Sequence, residues 1–143
     1  MSVGASNAEK LERLYEAFDQ AGFEETARLV QEIFSPEVEF NPLAAGDVGG
    51  GTYRGYEGML SFFGQLNEAF EEVSYEAPQF HPLGEDLVVA FTRLTGRSSQ
   101  TSLPMRQDLS LVYEFEGGLV RCVTAYETPA EALEAAQRGH ADA

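Results

Sequence analysis

The fold is decided by residues 87–127, which read LVVAFTRLTGRSSQTSLPMRQDLSLVYEFEGGLVRCVTAYE. Three runs rich in β-branched and aromatic residues follow one another in this stretch, over residues 87–97, 105–115 and 119–127. The last two are separated by Glu116-Gly117-Gly118, which is typical of a hairpin turn. Neighbouring strands joined by short turns pair antiparallel, so this stretch predicts a run of antiparallel strands.

The chain before these strands has helical periodicity instead. A first helix is predicted over residues 6–22, beginning with the capping box Ser6-Asn7-Ala8-Glu9, and a second over residues 24–34. A short strand at residues 38–41 precedes a third helix, predicted over residues 56–72. Because the helices are segregated from the main run of strands, the pattern predicts an α+β domain.

The remaining segments complete a single domain, predicted over residues 6–138 with flexible termini on either side. A further strand is expected over residues 73–80, bent at Pro78, and a glycine-rich loop over residues 43–52 lacks the signature of a phosphate-binding loop. A second capping box, Thr128-Pro129-Ala130-Glu131, opens a short final helix.

Composition excludes several classes of partner and cofactor. The formal net charge is −15 over 143 residues, and Lys10 is the only lysine, so nucleic acid and anionic membranes are poor partners. Cys122 is the only cysteine, and no pattern of His and Cys fits a metal site. We therefore expect no metal and no cofactor. Residues 1–10 lack the basic and apolar parts of a secretion signal, so a cytoplasmic location is expected.

Several motifs resemble those of one known family. They are Leu14-Tyr15-Glu16-Ala17-Phe18, the segment Ser35 to Phe40, the segment Gly51 to Gly58 with Phe62-Phe63, and the closing segment Gly117 to Ala135. Together they resemble the SnoaL-like branch of the nuclear transport factor 2-like superfamily, which includes ketosteroid isomerases. The resemblance implies a cone-shaped, curved antiparallel or mixed sheet, which is wrapped around the N-terminal helices and encloses a pocket.

The resemblance also allows the family's catalytic positions to be checked one by one. The general base of the isomerases and cyclases, an Asp before Pro, corresponds to Asn41, and a carboxamide cannot hold the proton. The two oxyanion-stabilising positions correspond to Leu14, beside Tyr15, and to Leu111. The hydrolase-type set keeps its arginine at Arg93, but its aspartates correspond to Thr95 and Thr124. Both catalytic sets are therefore incomplete.

A pocket is nevertheless expected on the concave face of the sheet. Alternation along the strands at residues 87–97 and 105–115 places Arg93 on one face with Phe91, and Leu111 on one face with Leu109. The resemblance implies that both faces are concave. The predicted ligand-contacting residues are Tyr15, Phe18, Asn41, Tyr53, Phe63, Phe91, Arg93, Leu109, Leu111 and Tyr126.

Each polar member of this set has a plain structural alternative. Arg93 is either an anion clamp or one half of an ion pair, with Glu39 or another carboxylate, or a residue at the exposed rim. Asn41 either donates to a ligand or caps the end of its strand. The tyrosines, Tyr113 included, either offer hydroxyls to a ligand or belong to an aromatic core whose hydroxyls bond backbone or water.

The sequence leaves two functions open. The first is a pocket that binds a small, mostly apolar molecule with a polar or anionic end, and that works as a cofactor-free isomerase, cyclase or hydrolase if it is an enzyme. The second is a non-catalytic dimeric module with a filled cavity. A void of several hundred Å³ around Arg93 and Asn41 distinguishes them. The resemblance also implies a homodimer through the convex face, with Ser110, Val112, Val123 and Ala125.

Overall fold

The computed structural model describes residues 3–20, 23–43 and 51–141, with side chains described for residues 6–19, 24–43 and 51–138. Four helices and six strands are formed in these ranges. In chain order they are α1 (Val3–Gln20), α2 (Phe23–Ile33), β1 (Phe34–Asn41), β2 (Tyr53–Arg54), α3 (Gly55–Ala69), β3 (Phe70–Leu83), β4 (Leu87–Ser98), β5 (Pro104–Glu116), β6 (Leu119–Tyr126) and α4 (Pro129–Ala141).

The strands form one open, mixed sheet in the order β2-β1-β6-β5-β4-β3. Strands β1 and β6 run parallel, and every other neighbouring pair is antiparallel. The predicted α+β class and mixed sheet are confirmed. In the described part of the chain, no helix is long and apolar enough to cross a membrane.

The two faces of the sheet are covered by different helices. Helices α1, α2 and α3 cover one face, which we call the inner face, and their contact with it forms the main core. Helix α4 covers part of the opposite, outer face, where Ala132 and Ala136 pack with Leu87, Val89 and Val112. The first residues of β4 are therefore buried on both faces.

Several predicted boundaries are wrong because tertiary pairing overrides local preference. Strand β1 begins at Phe34, directly after α2, because Phe34 pairs with Val120 of β6. Helix α3 ends at Ala69 rather than at residue 72, because Phe70 already pairs with Ser98. The two-residue strand β2 is not predicted at all. Helix α1 begins at Val3, so the predicted capping box at Ser6 lies inside the helix.

The second capping box is confirmed. The hydroxyl of Thr128 accepts a hydrogen bond from the backbone N–H of Glu131 at 3.2 Å and donates one to the carboxylate of Glu131 at 3.0 Å. Most of the predicted glycine-rich loop, residues 44–50, lies outside the described residues.

The start of α3 depends on a glycine. Gly55 has φ +69°, and a Cβ there would lie 3.3 Å from the carbonyl oxygen of Pro36. A left-handed backbone this close to β1 suits glycine and few other residues. The motif Gly51 to Gly58 thus turns the chain from β2 into α3, which lies on the inner face.

Candidate functional site

A small, partly enclosed cavity lies between α1, α3 and the inner face of the sheet. The centre of a water molecule can reach about 40 Å³ of this cavity. An enclosed space needs roughly 10–15 Å³ by this measure to hold one water, so the cavity accommodates only a few. Its walls are almost entirely apolar or aromatic: Leu14, Tyr15, Phe18, Thr26, Phe34, Phe40, Met59, Phe63, Tyr75, Leu111, Tyr113 and Val123.

Two tyrosine hydroxyls meet in this apolar surrounding. The hydroxyl oxygens of Tyr15, from α1, and Tyr113, from β5, are 2.5 Å apart, and both residues are buried. Among the described residues, neither hydroxyl has another hydrogen-bond partner. Two hydroxyls carry two protons and their mutual bond uses one, so the pair retains one O–H that can donate. We call these two residues the tyrosine pair.

The tyrosines of the cavity remain protonated at neutral pH. Burial raises the pKa of Tyr15 and of Tyr113 above the ordinary value for tyrosine, because the charged phenolate is poorly solvated there. Burial also raises the pKa of Tyr75. Among the described residues that line the cavity, there is no carboxylate, histidine or lysine. This lining can donate hydrogen bonds, but none of its groups is a base at neutral pH.

Tyr75 reaches the cavity from an irregular strand. The pairing of β3 with β4 is interrupted twice, between Glu71 and Ser74 and between Glu76 and Gln79, and each interruption adds one residue to β3. Glu72 and Ala77, one in each interruption, have positive φ angles of 55° and 42°. Such bulges re-aim side chains. Here the short segment between them directs the ring of Tyr75 inward.

Two further spaces adjoin this cavity. A second, partly enclosed space lies toward the end of β1, and the centre of a water molecule can reach about 20 Å³ of it. It is lined by Phe40, Pro42, Leu43, Phe62, Tyr75, Leu94, Gln107, Leu109, Leu111 and Ala125. A larger open cleft of about 270 Å³ lies between α1 and β3. It is lined by Glu12, Tyr15, Glu16, Asp19, Tyr75, Pro78 and Phe80.

The structure brings together about half of the residues predicted to contact a ligand. Tyr15, Phe18, Phe63 and Leu111 line the main cavity. Leu109 lines the second space. Tyr53 lies near the same region but lines neither cavity; its ring packs against the rings of Phe40 and Phe62, with centroids 6.4 and 5.5 Å away.

The placement of Arg93 in the pocket is wrong. Arg93 lies on the outer face of β4, with 45% of its side chain exposed, and its Nε donates to the carboxylate of Asp108 at 2.9 Å. Hydrogen bonding to Asp108 raises the pKa of Arg93. Phe91 and Tyr126 also lie on the outer face, where they pack against the cluster under α4. The physical reason is the register of β4, which turns Val88, Ala90 and Leu94 inward.

Asn41 is also turned away from the cavity. Its amide nitrogen donates to the hydroxyl of Thr124 at 3.3 Å, and its amide oxygen accepts from the hydroxyl of Thr52 at 2.6 Å. The neighbouring Phe40 faces inward instead. Asn41 therefore ties the end of β1 to β6 and to the segment before β2, which agrees with the strand-end alternative. Burial raises the pKa of the adjacent Cys122 to about 11, so its thiol is not a nucleophile at neutral pH.

The surface expected to mediate dimerisation needs a similar correction. Val123 and Ala125 belong to the inner core rather than to the outer face. Val112 is on the outer face but is buried beneath α4, and Ser110 is buried as well. The predicted ion-pair partner Glu39 binds Arg54 of β2 instead, at 2.6 Å.

Tyr75 is not among the residues predicted to contact a ligand, and Tyr113 is predicted only as one of several tyrosines that could offer a hydroxyl. The alternation of β5 places Tyr113 with Leu111 and is a usable signal. Tyr75 has no such signal, because the bulges change the alternation of β3. Where side chains are described, no three His, Cys, Asp or Glu residues come together as metal ligands.

Comparison with known families gives a match over most of the chain. The sequence profile of SnoaL-like domains matches residues 11–123. No match was found among curated proteins.

Solved structures share this architecture at low sequence identity. A candidate polyketide cyclase from Xanthomonas campestris pv. campestris has a TM-score of 0.73 and 15% identity, over 91% of this chain and 96% of its own. TerC, co-crystallised with polyporic acid, has a TM-score of 0.68 and 22% identity, over 90% and 95% of the two chains. A protein of ketosteroid isomerase-like fold from Catenulispora acidiphila, in complex with trimethylamine, has a TM-score of 0.66 and 13% identity, over 88% and 90%. At these identities the likeness shows the fold alone.

Proposed function

We propose that the inner cavity of this chain, which belongs to the family of SnoaL-like domains, binds a small, mostly apolar molecule with a carbonyl group. The carbonyl oxygen accepts the O–H that the tyrosine pair retains. The remainder of the ligand contacts the aromatic walls. TerC, which has the same fold, was crystallised with polyporic acid, and this supports the choice of a small organic ligand.

The tyrosine pair is the observation on which the proposal rests. A buried O–H without an acceptor typically costs about 1–3 kcal/mol of stability, and a ligand carbonyl removes that cost. The walls otherwise offer apolar contact, which favours rings and alkyl groups. A neutral carbonyl suits this lining better than the anionic end considered from the sequence, because Arg93, the proposed anion clamp, is on the outer face.

The same geometry favours binding over proton abstraction. Tyrosines with raised pKa values can polarise a carbonyl, but they do not take a proton from carbon at neutral pH. We therefore expect no appreciable isomerisation of a β,γ-unsaturated ketone, followed by the absorbance of the conjugated product. Asn41→Asp should restore none, because that side chain lies on the outer side of β1. Robust turnover by the wild type would show that a base outside the described lining is at work.

The small size of the cavity supports a second candidate, a non-catalytic module with a filled core. A cavity of about 150 Å³ is known to bind benzene, whereas this one leaves about 40 Å³. Any ring-sized ligand must therefore displace a wall side chain. If no ring-sized carbonyl compound binds, the second candidate is correct.

The test compares two compounds of nearly the same shape, acetophenone and α-methylstyrene, which carries a CH₂ group in place of the carbonyl oxygen. We expect calorimetry or NMR titration to give roughly fivefold to tenfold tighter binding of acetophenone, as one net hydrogen bond of about 1 kcal/mol or slightly more implies. The double variant Tyr15→Phe/Tyr113→Phe removes both hydroxyls and should abolish this preference. Tyr56→Phe is the control, because its hydroxyl bonds the backbone oxygen of Phe34 away from the cavity.

We also propose that the chain forms a homodimer through the part of the outer face that α4 leaves open. This part carries Phe91 and Tyr126, both partly buried, with Arg93 and Asp108 beside them. Sedimentation at micromolar concentration should show a dimer. Arg93→Glu should weaken the dimer, because each protomer then brings two neighbouring carboxylates, at positions 93 and 108, to the same interface. A monomer at all concentrations would remove the proposal.

A further inference from the structure

The main cavity, the second space and the open cleft share a single wall residue. Tyr75 lines all three of them, and no other residue that the structure describes does. Tyr15 separates only the main cavity from the cleft. Phe40 and Leu111 separate only the two enclosed spaces. Removal of the Tyr75 ring therefore joins the main cavity and the second space, each too small for a ring by itself, to the cleft, which opens to solvent.

We propose that Tyr75 is the gate and the size filter of this site, and that ligands reach the tyrosine pair through the cleft between α1 and β3. This inference rests on the proposed function for the identity of the ligand, but the gate itself depends only on the shape of the three spaces. When the ring turns toward the cleft, the site becomes long enough for a ligand larger than one ring.

The backbone under Tyr75 is held firmly, so only the side chain needs to move. The hydroxyl of Thr92 donates to the carbonyl oxygen of Glu76 at 2.8 Å, and that of Thr95 donates to the carbonyl oxygen of Ser74 at 3.5 Å. The carboxylate of Asp19 accepts from the backbone N–H of Tyr75 at 3.3 Å and from the hydroxyl of Ser74 at 3.2 Å. Both neighbours of Tyr75 are thus fixed to β4 or α1.

The ring itself is held by contacts that can be exchanged. Its centroid is 5.2 Å from the ring of Tyr15 and 5.0 Å from the ring of Phe18. Its hydroxyl has no hydrogen-bond partner among the described residues. Phe80, on the cleft side, packs edge-on against Tyr15 at 5.1 Å and offers a second aromatic surface for a displaced ring. Aromatic contacts are each worth only about 0.5–1.5 kcal/mol, so a bound ligand can replace them.

The charge of the cleft adds a selection on ligands. Glu12, Glu16 and Asp19 line it, and its described lining includes no basic residue. A neutral or cationic molecule therefore passes this opening more readily than an anion does. Acetophenone should consequently associate at least tenfold faster than 4-acetylbenzoate, which differs only by its carboxylate. Equal rates would show that ligands do not pass through this cleft.

The gate is tested with benzene, which has no acceptor for the tyrosine pair. We expect Tyr75→Ala and Tyr75→Val to bind benzene at least tenfold more tightly than the wild type, measured by NMR titration. Tyr75→Phe should match the wild type because it keeps the ring. Tyr56→Ala is the matched control: Tyr56 is a partly buried aromatic residue packed against the same core but lines none of the three spaces, and its substitution should leave benzene affinity within threefold of the wild type.

The outcomes separate the gate from the proposed function. If Tyr75→Ala and Tyr75→Val bind benzene no better than the wild type, or if Tyr56→Ala gains as much as they do, Tyr75 is not the gate. If they gain tenfold but acetophenone is not preferred over α-methylstyrene, the gate stands and carbonyl recognition is wrong. Circular dichroism establishes whether each variant is folded. Two substitutions are used at position 75, so that the test can proceed if one of these variants does not fold.

Discussion

Strand β4 is paired on one side by a regular strand and on the other by an irregular one. With β5 it forms an unbroken ladder from Leu87↔Glu114 to Arg97↔Pro104. With β3 the ladder is interrupted twice, and both interruptions contain a non-glycine residue with positive φ. The regular side provides buried walls, such as Leu109 and Leu111. The irregular side provides Tyr75, which among the described residues is the one that borders the main cavity, the second space and the cleft.

This difference separates the stable part of the site from the part that can change. An unbroken ladder fixes every side chain through its neighbours, so a wall built on β5 keeps its shape. An edge strand with two bulges has fewer such constraints, and functional sites often lie next to bulges. The tyrosine pair belongs to the first kind of structure, through Tyr113, and the gate belongs to the second.

The largest expected effect joins both regions and depends on pH. Burial raises the pKa of Tyr15, Tyr75 and Tyr113 above the value of about 10 in the unfolded chain, so the stability they contribute is present below pH 10 and is lost as the pH rises above it. The three together should lower the free energy of unfolding by roughly 3 kcal/mol between pH 10 and 11, and the slope approaches roughly 4 kcal/mol per pH unit at higher pH.

Urea titrations at pH 10 and 11 measure this loss. The variant Tyr15→Phe/Tyr113→Phe should lose about 2 kcal/mol less than the wild type between these two pH values, since it lacks two of the three tyrosines. Cys122, whose pKa burial raises to about 11, adds a loss of the same sign and is kept in both proteins. An identical loss in wild type and variant would show that the pair ionises freely in the native state.

The next effect concerns the regular wall alone. Leu111 is 4% exposed and lines both enclosed spaces, so Leu111→Ala should lower the free energy of unfolding by about 2–4 kcal/mol. The matched control is Leu103→Ala, because Leu103 is 65% exposed and should cost less than about 0.5 kcal/mol. Equal losses in urea unfolding would mean that neighbouring side chains fill the space left by Leu111, so that its burial adds no more stability than that of the exposed Leu103.

The regular region is also the part that the sequence predicts best, although not its orientation. Alternation in β5 correctly groups Leu109, Leu111 and Tyr113. In β4 the residues from Leu87 to Phe91 are all apolar, because α4 covers the outer face where the main core does not. A run buried on both faces carries no information about which face is inner. Arg93 was therefore assigned by resemblance, and the register places it outside.

The irregular region could not be predicted for a different reason. Its bulges contain Glu72 and Ala77, which do not mark a left-handed backbone as glycine does, and only Pro78 indicates a bend. Tyr75 and Phe80 are five residues apart, so alternation separates them, yet both face inward because a bulge lies between them. The helices and the second capping box depend on local signals and were predicted correctly in kind.

A smaller effect tests the coupling inside the tyrosine pair. Tyr15→Phe and Tyr113→Phe should each lower the free energy of unfolding by about 1–2 kcal/mol, because each breaks the mutual bond and leaves one buried hydroxyl without a partner. The double variant leaves no such hydroxyl. Its loss should therefore be smaller than the sum of the single losses by about 1 kcal/mol. Additive losses in a double-mutant cycle would contradict the hydrogen bond between the two residues.

The smallest effect distinguishes the β3–β4 ladder from the β4–β5 ladder most directly. We expect an Ala→Gly substitution to raise the free energy of unfolding in the first and to lower it in the second. Ala77 is exposed in β3 and has φ 42°, a conformation that glycine adopts without strain. Ala77→Gly should therefore raise the free energy of unfolding by about 0.5–1 kcal/mol, as the relief of strain exceeds the added freedom of the unfolded chain. Ala90, in the regular ladder of β4, is fully buried, so Ala90→Gly should lower it by about 1–2 kcal/mol. Urea unfolding of both variants at pH 7 gives the two signs. If Ala77→Gly is destabilising as well, the bulge at Ala77 is not strained, and the backbone of β3 that presents Tyr75 is no more strained than that of β4.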